Sequence, residues 1–216
     1  MAIYLIRHGE TASNRSRVVQ FPETPLSQRG IAQARLLGAR VVELGITRIV
    51  SSDMARARMT AEAVEAATGA RLSLDPDLQE RNFGDHRGAA YSELMEQGIE
   101  LFAPDYEPPN GESWDAFHQR VDRAWASACR RADQLDGHLA LVSHGLVCHS
   151  IASRLAELPA SSVSPESYAR NGPPIRFGNT ALSRLEGPAP WSFELFACTA
   201  HLEGALADDG SSLSGI

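Results

Sequence analysis

The sequence contains no lysine, so all 20 of its basic residues are arginine. Acidic residues outnumber them, and the net charge of −7 argues against nonspecific binding to nucleic acid or to an acidic membrane. No apolar run approaches the length of a membrane span, and no basic region precedes the first apolar run as in a signal peptide. Each arginine can in principle grip an oxyanion through two hydrogen bonds.

Cysteine is also scarce. Cys129, Cys148 and Cys198 form neither a Cys-x-x-Cys pair nor an even framework, so we expect reduced thiols and a cytoplasmic location. No repeat of solenoid length and no low-complexity linker interrupts the 216 residues, a length that one core can accommodate. We therefore predict a single domain over residues 1–202 with cap-like insertions at about 95–112 and 159–178. A polar tail, 203–216, is expected to fray.

Alternating strands and helices dominate the predicted elements. The expected order is strand 2–6, helix from an N-cap at Ser27, strand 47–50, helix Met54–Thr68, strand 71–74, helix from Ser113 to about Leu135, strand 138–142, helix Leu146–Leu158, and a strand pair at 181–185 and 192–196. Residues 12–26 read as polar turns, and Ser51-Ser52-Asp53 as the helix-capping cluster before Met54. This pattern predicts an α/β fold: a three-layer α/β/α sandwich around a mostly parallel sheet.

One short motif, a histidine followed by a glycine after an apolar run, occurs twice. Arg7-His8-Gly9 and Ser143-His144-Gly145 each place histidine and then glycine at the end of a buried strand. Open α/β sheets bind ligands at this edge, and a helix that starts after His144 would attract anions. We expect Gly9 to leave room for a ligand beside the backbone.

Arg56 should join these residues, because it lies in the first turn of the helix that Asp53 is predicted to cap. Arg7, His8, Arg56 and His144 would then converge on one phosphate site suited to phosphoryl transfer. The competing interpretation is that Arg7 and His8 only mark where the chain leaves the core, and that Arg56 is a solvated helix arginine.

Five motifs together resemble the histidine phosphatase superfamily, which includes cofactor-dependent phosphoglycerate mutases and many small bacterial phosphatases. They are Arg7-His8-Gly9-Glu10-Thr11 with Asn14, Ser52-Asp53-Met54-Ala55-Arg56-Ala57 with Thr60-Ala61, Glu80 with Gly84 and Gly88, Gly111-Glu112-Ser113, and Ser143-His144-Gly145. Asn179-Thr180-Ala181 and Thr199-Ala200-His201-Leu202 also resemble the tail of its phosphatase members. The resemblance implies a phosphoglycerate mutase-like fold.

The resemblance also implies roles. His8 would be the nucleophile that forms phosphohistidine, which requires a neutral imidazole; the neighbouring arginines should lower its pKa. Arg7, Arg56 and His144 would hold the phosphoryl oxygens, with Gly145 and the amide of Asn14 in the same phosphate site. Glu80 would protonate the leaving oxygen and then deprotonate water. Because arginines lower a carboxyl pKa, we expect Glu80 to be ionised in the empty site.

Two departures from the family favour a phosphatase over a mutase. Residues 18–23 lack the glycine found in the corresponding mutase loop, and residues 95–112 contain no basic side chain to hold a sugar-acid carboxylate. In addition, His86 replaces a tryptophan common between the two glycines after Glu80, which affects how that loop places Glu80. The alternatives are mutase-type phosphotransfer and a non-catalytic module that binds phosphate or another protein.

Residues that could contact the leaving group come from the inserted segments. The candidates are Phe21, Arg81, Arg87, Tyr91, Tyr106, Arg170 and Arg176. We expect the substrate to be a small phosphorylated metabolite and the protein to be a monomer or a homodimer.

No metal or cofactor is expected. There is no His-Glu-x-x-His motif, and Arg7 beside His8 would repel a cation. The other histidines, His86, His118, His138 and His149, are interpreted as surface or structural residues, and the role of His201 is left open.

Overall fold

A computed structural model describes residues 1–157 and 177–202. Predictions for Arg170, Arg176, most of the second insertion, the last residue of the helix ending at Leu158, and the tail 203–216 fall outside these ranges. Within them, no helix is long and apolar enough to cross a membrane.

Among the residues that the structure describes, six strands form one mixed sheet in the order β3-β2-β4-β1-β5-β6. The strands are β1 (Ala2–Arg7), β2 (Ile46–Ser51), β3 (Arg71–Leu74), β4 (His138–Ser143), β5 (Leu182–Glu186) and β6 (Ser192–Cys198). The first four in sheet order are parallel, whereas β5 runs antiparallel to β1 and β6 antiparallel to β5. The prediction of a mostly parallel α/β sheet is confirmed.

Helices cover both faces of this sheet. They are α1 (Ala12–Ser16), α2 (Gln28–Val41), α3 (Ala55–Thr68), α4 (Tyr91–Glu96), α5 (Trp114–Ala132) and α6 (Gly145–Arg154). Strand β1 shows why the opening run is apolar throughout: Tyr4 and Ile6 enter the core shared with α2 and α3, whereas Ile3 and Leu5 enter the core shared with α5 and α6. Its complete burial follows from cover on both faces.

The register of β1 against β4 brings the two histidine motifs together. Arg7 pairs with Ser143, and the amide of His8 donates to the carbonyl of Ser143 at 2.9 Å. Because the two strands are parallel and adjacent, His8 and His144 leave the sheet side by side at its carboxyl edge.

Of the helix caps predicted at Ser27 and Asp53, the first is confirmed and the second is wrong. Ser27 caps α2, as predicted, by accepting a hydrogen bond from the amide of Gly30 at 3.0 Å. The prediction that Asp53 caps α3 is wrong: the N-cap is Met54, which makes no side-chain cap, and Asp53 instead accepts from Nε2 of Gln79 at 2.7 Å. Helix α1 was not expected at all, since five residues are too few to show a helical period.

The first predicted insertion, residues 95–112, is tied to the domain by Arg81. This arginine is buried, and its guanidinium donates to the carbonyls of Leu101 and Glu112, both at 3.0 Å, and of Tyr106 at 2.5 Å. It also lies over the ring of Trp114, 4.0 Å from the centroid. Arg81 therefore holds the segment in place.

Candidate active site

The ring of His8 has its two nitrogens assigned by their neighbours. Nδ1 lies 2.7 Å from the carbonyl oxygen of Gly9, which can only accept, so Nδ1 carries the hydrogen. Nε of Arg56 donates to Nε2 at 3.3 Å, and a guanidinium can only donate, so Nε2 offers a lone pair. Both contacts point to the same tautomer, in which Nδ1 carries the hydrogen and Nε2 has an available lone pair.

The surroundings keep this imidazole neutral. Burial lowers the pKa of His8 well below its ordinary value, and the charges of Arg56 and Arg7 lower it further. Burial also lowers the pKa of Arg56 to about 10, so this guanidinium stays charged at neutral pH. A neutral imidazole thus lies beside two cations, an arrangement suited to attack on a phosphoryl group and to neutralising its oxygens.

Arg7 and Arg56 reach the site from different elements. Arg7 ends β1, and its guanidinium donates to the carbonyl of Phe177, while Arg56 follows the N-cap of α3 and donates to the carbonyl of Phe21 at 3.1 Å. Both are almost fully buried, with exposures of 3% and 2%. Their backbone partners hold the two guanidinium groups in fixed positions around His8.

His144 lies next to His8, with the ring centroids 5.2 Å apart. It is the N-cap of α6, and its Nε2 is 2.8 Å from Oγ of Ser52. That hydroxyl already accepts from the amide of Met54, so it can donate its hydrogen to Nε2 and leave the imidazole hydrogen on Nδ1. Burial lowers the pKa of His144 well below its ordinary value, followed by the charge of Arg56.

The carboxyl group of Glu80 lines the same cleft as His8 and the two arginines. Oε1 accepts from the amide of Arg81 at 3.0 Å and Oε2 from the amide of Leu146 at 3.1 Å. The residue keeps some solvent exposure, but burial of its carboxyl raises the pKa of Glu80, and the amides and the charges of Arg56 and Arg7 oppose this only in part. The direction expected from charge alone is therefore wrong, because desolvation outweighs the arginines.

A small cleft, with a cavity volume of about 30 Å³, brings together Arg7, His8, Arg56 and Glu80. Its lining comprises Arg7, His8, Gln20, Met54, Arg56, Glu80, Arg81, Phe83, Arg87, Tyr91 and Leu146. Burial raises the pKa of Tyr91 to about 12, so its hydroxyl stays protonated and can donate a hydrogen bond into the cleft. The cleft is therefore lined by arginine side chains together with apolar and aromatic ones.

Two predicted site residues have other local roles. A Cβ at Gly9 would lie 2.8 Å from the carbonyl oxygen of Gly30, so the glycine permits close approach to α2 rather than room for a ligand. Asn14 is fully buried, and its Oδ1 accepts from the amide of Thr11 at 3.1 Å within the cap of α1. Gly145 does border the site, since a Cβ there would lie 3.7 Å from Nε of Arg7 and 3.9 Å from Oε2 of Glu80.

The leaving-group candidates divide into two groups. Arg87 and Tyr91 line the cleft, and Phe21 stands exposed, its ring within 3.1 Å of where a Cβ of Gly88 would be. Arg81 borders the same cleft, but its guanidinium is committed to backbone carbonyls, and Tyr106 directs its hydroxyl to Nε2 of His86 at 2.6 Å.

Sequence reasoning did not assign Ser52 a role at the site, although it lies in a quoted motif. The signal was its position at a parallel strand end next to the one that carries His144, but a serine there also suits a helix cap. The described residues contain no cluster of three or more histidine, cysteine or acidic side chains suited to a metal ion.

With this geometry, the fold and the site define a class of phosphoryl-transfer protein built around a buried, neutral histidine. The chain belongs to the histidine phosphatase superfamily, branch 1, whose family pattern matches residues 3–186.

Similar proteins carry both kinds of name found in this family. A probable phosphoglycerate mutase GpmB of Escherichia fergusonii is 32% identical over 222 residues, covering 97% of this chain and 98% of that protein. The structure of a putative alpha-ribazole-5'-P phosphatase from Escherichia coli is 27% identical, with a TM-score of 0.74 over 92% of this chain and 97% of the other. A phosphoglycerate mutase from Bacillus anthracis, 21% identical over 93% and 94% of the two chains, shares the fold with a TM-score of 0.76.

Proposed function

We propose that this protein is a metal-independent phosphomonoesterase that acts through a phosphohistidine on Nε2 of His8. The main support for the proposal is the tautomer of His8, which is indicated by the contacts of both ring nitrogens. Nδ1 carries the hydrogen, and Nε2 has its lone pair in the cleft beside Arg56. A substrate phosphate would displace the guanidinium from Nε2 and bind between Arg56 and Arg7.

The reaction needs two steps and one proton carrier. In the first, Nε2 of His8 bonds to phosphorus while the ester P–O bond breaks, and Glu80 gives its proton to the leaving oxygen. In the second, water bonds to phosphorus while the N–P bond breaks, and the water proton returns to Glu80. The raised pKa of Glu80 favours the protonated form that the first step requires. His144 and the start of α6 would stabilise charge on the phosphoryl oxygens.

Hydrolysis is favoured over mutase chemistry by the acidic charge of residues 95–112, a segment that is held next to the cleft by the hydrogen bonds of Arg81. Glu96, Glu100, Asp105 and Glu107 are exposed, and no basic residue occurs between positions 95 and 112. A mutase must retain and reorient a strongly anionic bisphosphate, which this segment would repel. Arg87 and Tyr91 are the proposed contacts for the leaving group of a small phosphorylated metabolite. The mutase name of relatives at 32% identity makes phosphotransfer the second candidate.

Phosphoenzyme trapping tests the proposal. Wild-type protein, His8→Asn and the control His118→Asn would be mixed with a ³²P-labelled phosphomonoester, with and without chelator, and quenched in alkali, where phosphohistidine survives. We expect an acid-labile label on wild type and control but not on His8→Asn, and inorganic phosphate in equal amount to the alcohol regardless of chelator. Loss of activity with chelator, or label on His8→Asn, would overturn the mechanism; a phosphorylated product in place of phosphate would identify a mutase.

A further inference from the structure

The two C-terminal motifs around Asn179 and His201 meet behind the nucleophile. Nδ1 of His201 lies 3.0 Å from the guanidinium of Arg40, and its Nε2 lies 3.0 Å from Oγ1 of Thr180. The arginine can only donate, so Nδ1 accepts and Nε2 carries the hydrogen that is donated to Thr180. The hydroxyl of Thr180 in turn donates to the carbonyl of Asn179 at 2.7 Å. A directed chain of hydrogen bonds thus runs from α2 to the turn at 177–181.

Thr180 has a backbone conformation that needs such support. Its φ of +56° lies in the left-handed region, which a β-branched residue rarely adopts, and its side chain is fully buried. Residues persist in this region where the surroundings over-determine them, and such positions cluster at functional sites. The bond from His201 is one of the contacts that hold this turn.

The same turn is hydrogen-bonded to the backbone of His8. Nδ2 of Asn179 donates to the carbonyl of His8 at 3.1 Å, and the amide of Thr180 donates to that carbonyl at 3.3 Å. The carbonyl of Phe177 accepts from the guanidinium of Arg7, and the carbonyl of Ala181 accepts from its amide at 3.2 Å. Any shift of residues 177–181 therefore moves both the nucleophile and one phosphate contact.

We propose that His201 is a positioning residue for the His8 reaction: held by Arg40, it fixes the Thr180 hydroxyl and, through the 179–180 turn, the orientation of His8. The inference rests on the proposed function, because it assigns His201 to the step that His8 performs. Burial and the charge of Arg40 lower the pKa of His201 to about 4, so the donor tautomer persists at neutral pH.

Paired substitutions test each link. Thr180→Val removes the hydroxyl but keeps the β-branched shape, whereas Thr180→Ser keeps the hydroxyl. His201→Leu removes both ring contacts, whereas His201→Gln can accept from Arg40 and donate to Thr180. Cys198→Ala is the matched control, because Cys198 contacts the same Arg40 at 3.2 Å and lies outside the chain of bonds to His8.

We expect Thr180→Val and His201→Leu to lower kcat about 10-fold, with KM within about 2-fold of wild type, since small misplacement of a reacting group costs rate rather than binding. Thr180→Ser, His201→Gln and Cys198→Ala should keep most of the wild-type kcat. Single-turnover measurement of phosphohistidine formation and the midpoint of thermal unfolding would be recorded for each. Unchanged kcat in the first pair, or a loss that follows thermal stability alone, would overturn the inference.

A second readout needs no turnover. The ¹⁵N signals of the His8 ring should shift in Thr180→Val and His201→Leu and stay in place in the other three variants. If wild type forms no phosphohistidine, the proposed function fails, and these signals still decide whether His201 orients His8. Ring signals unchanged in all five variants would contradict the positioning role.

Discussion

A histidine followed by a glycine stands at the end of both β1 and β4, yet the two imidazoles have different hydrogen-bond partners. At the end of β1, His8 donates to its neighbouring carbonyl and offers Nε2 to Arg56. At the end of β4, His144 directs Nε2 to Ser52 instead and caps α6. Both imidazoles are buried, and both have a lowered pKa. What differs between the two ends is the partner of Nε2: a guanidinium at His8 and a hydroxyl at His144.

The largest expected difference between the two ends is in phosphoenzyme formation. His8→Asn should lose at least about 10⁴-fold in kcat, because no attacking nitrogen remains. His144→Asn should lose about 10²–10³-fold, the usual effect of removing one donor to developing charge, and should still form phosphohistidine on His8. Label mapping and steady-state kinetics on both variants check this. Label on His144 in the His8→Asn variant would reverse the assignment.

Glu80 links the two strand ends in the proposed mechanism. The amide of Leu146, next to the β4 end, donates to its carboxyl group, and its proposed role as proton carrier belongs to the reaction of His8 at the β1 end. Glu80→Gln should slow alkyl phosphates by about 10²–10³-fold, since their leaving oxygen needs a proton. Aryl phosphates should lose much less. The measurement is kcat for an alkyl and an aryl series, with the exposed Glu93→Gln as control. Equal losses in the two series would argue against a general acid.

Ser52 tests the β4 end on its own. Ser52→Ala removes the partner that orients the His144 ring, and we expect kcat to fall about 10-fold, in line with the loss of one positioning hydrogen bond. Ser52→Thr keeps a hydroxyl and should retain most activity. The phosphohistidine should stay on His8 in both variants, which the same label mapping would show. A Ser52→Ala protein with wild-type kcat would mean that Ser52 does not orient His144.

The smallest expected effect is on the pH dependence of stability. It follows from the lowered pKa that His8 and His144 have in common. Histidines in an unfolded chain titrate near pH 6.5, whereas His8 and His144 have lower pKa values when folded. Below about pH 6.5 the unfolded chain therefore binds more protons than the folded chain. The free energy of unfolding decreases as the pH is lowered, until the pH reaches the pKa values of the two histidines in the folded protein.

Replacing either histidine by asparagine should flatten this slope. Urea unfolding at pH 7.0 and pH 5.5 would measure it, with His86→Asn as a control outside both strand ends. The opposite effect of Glu80, whose pKa is raised on folding, is common to all these proteins. A slope equal to wild type in both variants would contradict the lowered pKa values.

Much of the fold could be predicted from the sequence, because strands buried on two faces and helices with one apolar face leave regular patterns. The outline of all six strands is confirmed, and so is the cap at Ser27. Helix α1 was missed because it is one turn long, and the cap at Asp53 was wrong because a short polar side chain suits several roles near a helix start.

At the candidate site, the sequence identified the side chains but not their environment. Charge reasoning predicted a low pKa for Glu80, whereas the folded chain buries the carboxyl and raises it. Similarly, Arg81 was a candidate contact for the leaving group; it does border the cleft, but three distant carbonyls hold its guanidinium. Desolvation and long-range hydrogen bonds depend on residues far apart in the chain, so a local motif does not specify them.

The amino-acid sequence was enough to infer that His8 and His144 directly follow two buried strands, with Arg7, Arg56 and Glu80 in a family order. Three features depend on the folded chain: which nitrogen of His8 carries the hydrogen, that Ser52 is the partner of His144, and that Arg40 and His201 connect to the backbone of His8 through Thr180. The physical reason is that residue type and order are local properties, whereas protonation and orientation follow from neighbours that only folding brings within hydrogen-bond distance.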